Sequence, residues 1–366
     1  MTGETPNAAV VQPCENLDAT IDFFQERLGF RLEMIFPADD PNVAIVSGHG
    51  LRLRLERGST AAPATLRLAR AAIARRDIDE TELLAPNGTR VLLVDQDIPV
   101  FDAPVTPHLI VERETTNGDA WIVGRAGMRY RDLVPGRWNG HIAASHIRIP
   151  VGGPVPDYVH YHDVRFQMIY CHRGWVRVVY EDQGEPFVMH PGDCVLQPPG
   201  IRHQVLEASD GLEVVEIGCP ALHATHVDHA MTLPSPTITA DRRYGGQRFT
   251  RHRAAETPWS SGTGAGFESQ DLGIAQATDD LAQVLVHRAE RPGVSDALAP
   301  SSGFRFLFVL AGALEMAPGG QDDAEGLTLG VDDAITLAPG PGARITAKAP
   351  DTRVLDIAVA ERAFSP

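Results

Sequence analysis

Apolar and polar positions divide the 366 residues into stretches of different period. Between residues 8 and 58, AAVVQP reads as a short strand. LDATIDFFQERLGF then sets Leu17, Ile21, Phe24 and Leu28 at helical spacing, with Gly29 as the stop. RLEMIF, VAIVSG and LRLRLERG alternate as half-buried strands, so the order is strand, helix, three strands. QDIPVFDAPVTP (96–107) is polar and Pro-rich, a linker. From His108 onward come short strands, among them HIAASHIRIP, RFQMIYCHRG, WVRVVYED, CVLQPP and EVVEIG, with turn signals every eight to twelve residues. That pattern is the signature of a β-sandwich or barrel. LPSPTIT reads as a second linker.

Residues 245–366 repeat the preceding barrel text. GFRFLFVLAGALEM lies on RFQMIYCHRGWVRV when Gly312 is set on Gly174, and GVDDAITLAPGPGA lies on HPGDCVLQPPGIRH when Gly340 is set on Gly200. The chain therefore carries an internal duplication. Its length is too great for one ordinary core.

Composition narrows the function. A hydrophobic fraction of 43% and a charged fraction of 22% are those of a soluble globular protein. A formal charge of −16 disfavours nucleic acid and anionic membrane surfaces, which require a basic face. No apolar run reaches the length of a membrane span, and MTGETPNAAVVQP has neither the basic nor the apolar region of a signal peptide, so the expected compartment is the cytoplasm. Cys14, Cys171, Cys194 and Cys219 are scattered without CxxC spacing and read as buried thiols. Lysine chemistry would have to rest on Lys348, the single lysine, far from the best candidate site.

That site begins at His160 and His162, which stand two apart and so point to one side of a strand. Gln167 follows after four residues and Gly174 after six more; later, Gly192, Pro198 and Gly200 turn the chain so that His203 can face back. Three imidazoles and an amide oxygen gathered in an antiparallel barrel suit a divalent first-row metal. The spacing resembles the two motifs of the cupin superfamily, G-x5,6-H-x-H-x3,4-E-x6-G and G-x5-P-x-G-x2-H, with Gln167 in place of the usual glutamate. The resemblance implies a mainly β protein with two cupin (jelly-roll) β-barrels in tandem, barrel one at 106–240 and barrel two at 241–366. In the repeat the four ligand positions become Leu298, Pro300, Arg305 and Ala343, none of them a useful ligand, so the second barrel reads as degenerate. Residues 1–105 resemble a small α+β module of the vicinal-oxygen-chelate (glyoxalase-like) fold, with a shortened second module ending at LAPNGTRVLLV. Metal-binding members carry a histidine on the first strand and a glutamate on the last. Ala9 and Leu92 hold those positions here, so a scaffold or interface without metal is expected.

With Gln167 neutral, a bound metal keeps its full charge and favours an anionic, oxygen-chelating substrate. Fe(II) is the favoured ion, with Mn, Ni, Co and Zn open. Resemblance to three-histidine cupins implies a dioxygenase acting on an enolisable ketone or hydroxylated aromatic. A metal-dependent isomerase, lyase or hydrolase that uses no O2, and a non-catalytic small-molecule-binding barrel, remain open alternatives. Arg148 reads either as a bidentate clamp for a substrate carboxylate or as an exposed strand arginine. Tyr158 reads either as a hydrogen-bond or proton donor or as barrel packing. Gln197 is placed to line the pocket, and Trp138 and Trp175 read as core. His223, His226 and His229 fit neither a strand face nor a helical stripe and are expected to be solvated or locally bonded; GTGAGF (262–267) reads as a loop. The expected partners are a small-molecule substrate and a second copy of the chain, a homodimer formed through residues 1–100.

Overall fold

The structure, a computed structural model, describes residues 8–37, 40–73, 80–95, 109–113, 121–124, 127–261, 266–318, 326–337, 339–340 and 342–364. The linker expected at 96–107 and most of the glycine-rich stretch at 262–267 lie outside them. The chain forms two compact units, Met1–Val100 and Phe101–Pro366.

In the first unit Asn16 caps the helix Leu17–Asp22 by accepting from the Ala19 amide at 3.1 Å. The helix runs on through a π turn and stops at Gly29, whose φ of 74° suits a residue without Cβ. Leu17, Ile21, Phe24 and Leu28 bury one helical stripe against Ala44, Val46, Leu53 and Leu55. The strand Val10–Pro13 runs parallel to Leu51–Glu56, beside which lie Val43–Gly48 and then Arg31–Phe36. This is the strand, helix, three-strand order that the sequence predicts. The shorter second half is a three-stranded sheet, Thr65–Ala69 and Glu82–Leu84 flanking Arg90–Val94. Ala9 is exposed and Leu92 half-buried.

The second unit holds two β-sandwiches. In the first, Phe166–Arg173, Leu212–Cys219 and Ala143–Ile149 are neighbours within a seven-stranded sheet. The facing sheet sets Val176–Tyr180, His203–Ala208 and His160–His162 side by side. Parity decides what each face does. Gln167, Ile169 and Cys171 point into the barrel, while Phe166, Met168 and Tyr170 point out and pack on Phe304, Phe306 and Phe308, which do the same from barrel two. Both faces of these strands are buried, which is why RFQMIYC and FRFLFV read as unbroken apolar runs rather than as alternation. Each barrel is completed by a strand from the other's half of the sequence: Thr250–His252 pairs with Cys194–Leu196, and Ile110–Glu112 pairs with Ala334–Leu337.

The duplication is exact in register where it matters. His160 lies directly across from His203, and Leu298 directly across from Ala343. Gly174 takes φ 72° at the turn that follows the Gln167 strand, and a Cβ there would meet Ser209 Oγ at 2.4 Å, so the motif glycine serves the turn.

Candidate metal centre

The strand His160–His162 sends Tyr161 outward, stacked on His226 with the Arg202 guanidinium above its ring, and sends His160 and His162 inward. The ring centroids of His160 and His203 are 4.2 Å apart, and His162 lies 5.1 Å from the first and 5.2 Å from the second. One nitrogen of each imidazole falls within 4.8 Å of the others. His160 Nδ1 meets the Tyr158 carbonyl at 2.8 Å, and His203 Nδ1 meets the Ile201 carbonyl at 3.0 Å. A carbonyl only accepts, so both Nδ1 atoms carry a proton, and in the neutral rings Nε2 is left with the lone pair, the tautomer a metal ligand needs. His162 Nδ1 is held by Thr225 Oγ1 at 2.8 Å.

Gln167 is buried beside them. Its Nε2 donates to Glu216 Oε1 at 2.9 Å, while its Oε1 takes no hydrogen bond from any described residue. A buried amide oxygen without a donor costs about 1–3 kcal/mol, so this atom is a ligand position in search of a cation or a donor. Three neutral imidazoles and that oxygen fit a divalent first-row ion.

The four residues open on a cavity of about 380 Å³. Its walls are largely aliphatic, with Ile147, Ile149, Val178, Val205, Leu212 and Val214 among them, and its polar groups include Tyr158, Tyr180, Gln197, Glu216, His223 and Thr225. Burial pushes the Tyr180 phenol up, with the neighbouring Gln197 amide opposing, so Tyr180 is a neutral donor stacked against His203.

Arg148 does not reach this cavity. Ile147 and Ile149 face it, so the residue between them faces the other way; Arg148 pairs with Glu213 at 2.8 Å and lies 4.5 Å over the Trp121 ring. The substrate-clamp reading gives way to the structural one by strand parity alone. Tyr158 stands at the cavity rim, 41% exposed, its ring set edge-on to His160 with the centroids 5.9 Å apart. Gln197 lines the cavity as expected, Trp138 is core, and Trp175 is half-buried. In the histidine run, His226 pairs with Asp163 and His229 is exposed, but His223 is turned back by a bond to the Pro220 carbonyl and joins the cavity wall 5.4 Å from His162. Glu216 escaped the sequence reading, although a carboxylate two residues from Val214 and from Gly218 on an apolar strand was a readable signal.

Barrel two fills the equivalent place with an internal ion pair. Arg305, in the position of Gln167, bonds Asp356 through Nε at 2.9 Å, and His287 reaches the same carboxylate at 3.0 Å. Leu298 and Ala343 stand where the histidines are in barrel one.

A second buried group, His146, Glu213 and Asp332, lies between the barrels. Arg148 and Arg173 bond Glu213, Arg173 also bonds Asp332, and His172 reaches Asp332 at 2.7 Å, so these carboxylates already have cations. Arg131 can only donate, and it reaches His146 Nδ1 at 3.2 Å; Nε2–H of a neutral imidazole therefore donates to Glu213 at 3.0 Å. The group is an inter-barrel clamp. Burial alone would raise the Glu213 carboxyl, but His146 and the charges of Arg173 and Arg148 bring it down to about 2. Burial lowers His146, with Glu213 opposing. In both cases the unfolded chain takes up its proton first. The His146 contribution is therefore lost as pH falls below about 6.5, and that of Glu213 as pH falls from about 4.3 to 2. The thermal unfolding midpoint is expected to fall steadily over this range, and Glu213→Gln to flatten the lower part; a pH-independent midpoint in calorimetry contradicts the clamp.

Residues 145–217 match the cupin domain family and contain all four ligand candidates. Among solved structures, oxalate decarboxylase from Bacillus subtilis is similar with a TM-score of 0.53 at 12% identity, covering 72% of this chain and 79% of that one. Salicylate 1,2-dioxygenase from Pseudaminobacter salicylatoxidans is similar with a TM-score of 0.51 at 15% identity, covering 72% and 87%. The fold is a tandem cupin. At such identities the likeness is one of fold. Comparison with curated proteins finds no match. No described helix of this tandem cupin is long and apolar enough to cross a membrane.

Proposed function

We propose that barrel one is a metal-dependent enzyme in which His160, His162 and His203 hold a divalent cation and the Gln167 amide oxygen is a weak fourth donor. The observation that carries this reading is the convergence of three imidazoles and one orphaned, buried amide oxygen on a single cavity. A bound ion would supply Lewis acidity and, as Fe(II), the means to use O2. Four neutral donors leave its charge uncancelled, which favours an anionic oxygen chelate. Among the described residues no arginine or lysine lines the cavity, and its walls are largely aliphatic, so the substrate is an enolate or phenolate with an apolar body and no second anionic group. Tyr180, stacked on His203, offers a phenol as donor, and Tyr158 covers the rim. The reaction we assign is dioxygenation of an enolisable ketone or hydroxylated aromatic, with Fe(II) first. Oxalate decarboxylase from Bacillus subtilis, on a similar fold, holds Mn(II) centres, which makes Mn(II) second.

Unsupplemented purified protein is expected to carry about one transition-metal ion per chain, and to consume O2 with such substrates when Fe(II) is supplied. Protein that takes up no Fe(II), or consumes no O2 across a broad panel, refutes the assignment; turnover that persists without O2 moves it to an isomerase or lyase on the same chelate. Light scattering on the same sample reads a further element of the proposal, a homodimer through residues 1–100, whose edge strand exposes Leu32, Met34, Ile35 and Phe36. A mass of one chain refutes that element. The four unbridged, buried thiols support a reducing compartment such as the cytoplasm.

A further inference from the structure

Glu216 lines the cavity of the candidate centre and accepts a hydrogen bond from Gln167 Nε2. The two side chains point into the barrel from adjacent antiparallel strands, diagonal to one another: Gln167 lies across from Gly218, and Ile169 across from Glu216. An amide can present either its NH2 or its oxygen to a neighbour, and the two choices differ by a flip about one bond. A carboxylate accepts and does not donate, so it captures the NH2 and turns the oxygen the other way. The oxygen then sits buried, without a donor among the described residues, on the cavity shared with the three histidines.

The sister barrel shows the same diagonal in a different chemical state. Arg305 lies across from Ala358 and Leu307 across from Asp356, which makes Arg305 and Asp356 the counterparts of Gln167 and Glu216. There the inward pair is a guanidinium and a carboxylate bonded to each other, and no acceptor is left over. In barrel one the pair is an amide and a carboxylate, and one acceptor is left over. The diagonal also accounts for the amide itself. A glutamate at 167 would set two carboxylates within about 3 Å of each other, where like charges oppose joint ionisation.

We propose that Glu216 is the positioning residue of the centre: it holds the Gln167 amide in the single orientation that offers Oε1 to the cation. This rests on the metal reading above, and the experiment separates the two. Full-length apo protein is titrated with Co(II), read by its visible ligand-field spectrum and by competition with a chelator, alongside Glu216→Met, Glu216→Gln, Gln167→Met and the double Met variant, each checked for folding by circular dichroism. Glu216→Met is expected to weaken Co(II) binding about tenfold or more and to shift the spectrum toward that of Gln167→Met, as loss of an orienting partner does. Glu216→Gln, which keeps an acceptor, is expected to restore most of the affinity. On the Gln167→Met background, removing Glu216 is expected to cost almost nothing further, because it has nothing left to orient. A carboxylate acting only through its charge would lose as much in Glu216→Gln, and would lose it again in the double variant; either result overturns the inference while leaving the metal site standing. Folded wild-type protein that binds no Co(II) overturns both.

Discussion

His160→Leu combined with His203→Ala is expected to abolish Co(II) and Fe(II) binding while leaving the fold and its thermal midpoint nearly unchanged. The two substitutions copy what barrel two carries at the same cross-strand pair, Leu298 opposite Ala343. That pair is buried and sound where it occurs, so a barrel of this shape accepts leucine and alanine at those places. What is lost is two of three imidazoles whose Nδ1 protons are fixed by the Tyr158 and Ile201 carbonyls. Losing an orienting partner one step further out costs roughly 10- to 100-fold in metal affinity, so losing two ligands should exceed that range. Isothermal titration with Co(II), next to a thermal melt of the apo protein, measures both halves. A variant that still binds one ion as tightly as wild type ends the metal assignment. One that loses binding only because it unfolds returns these histidines to packing residues.

The histidine pair was readable because strand parity is local: two residues apart means one side, whatever the rest of the chain does. The duplication was readable for a related reason, since glycines at the same turns repeat in both halves. For Arg148 the same rule decides between its two readings against the clamp, because Ile147 and Ile149 flank it and claim the inner face. Other features are set by pairings that no local pattern reports. Thr250–His252 completes a sheet with Cys194–Leu196, more than fifty residues away in sequence. His223 enters the cavity wall because the connector after Cys219 folds back on itself, so its contact with His162 could not be read from threefold spacing. Glu216 lay between these cases. Its inward parity was legible, but its meeting with Gln167 depends on the register between two strands.

The same register makes barrel two sensitive where barrel one is tolerant, and Asp356→Asn shows it. Asp356 is 2% exposed and takes Arg305 and His287 together, and these partners pull its carboxyl below the usual range against the opposing effect of burial. Removing its charge leaves the Arg305 guanidinium buried without a counter-ion, and breaking a buried pair from one side costs about 3–5 kcal/mol. Glu216→Gln at the matching place leaves a neutral amide that still has an acceptor, so its cost to stability should stay near 1 kcal/mol or below. Chemical denaturation of the two variants should therefore differ by several-fold in lost stability, with the larger loss in the barrel that has no ligand set. Arg305→Gln together with Asp356→Glu rewrites barrel two's diagonal as barrel one's. It is expected to recover a good part of the loss, because no buried guanidinium is then left without a counter-ion and the carboxylate accepts from an amide NH2, as Glu216 does from Gln167. Equal, small losses for Asp356→Asn and Glu216→Gln would mean that the Arg305–Asp356 pair does not hold barrel two together, and that the contrast between a closed and an open diagonal has no energetic content.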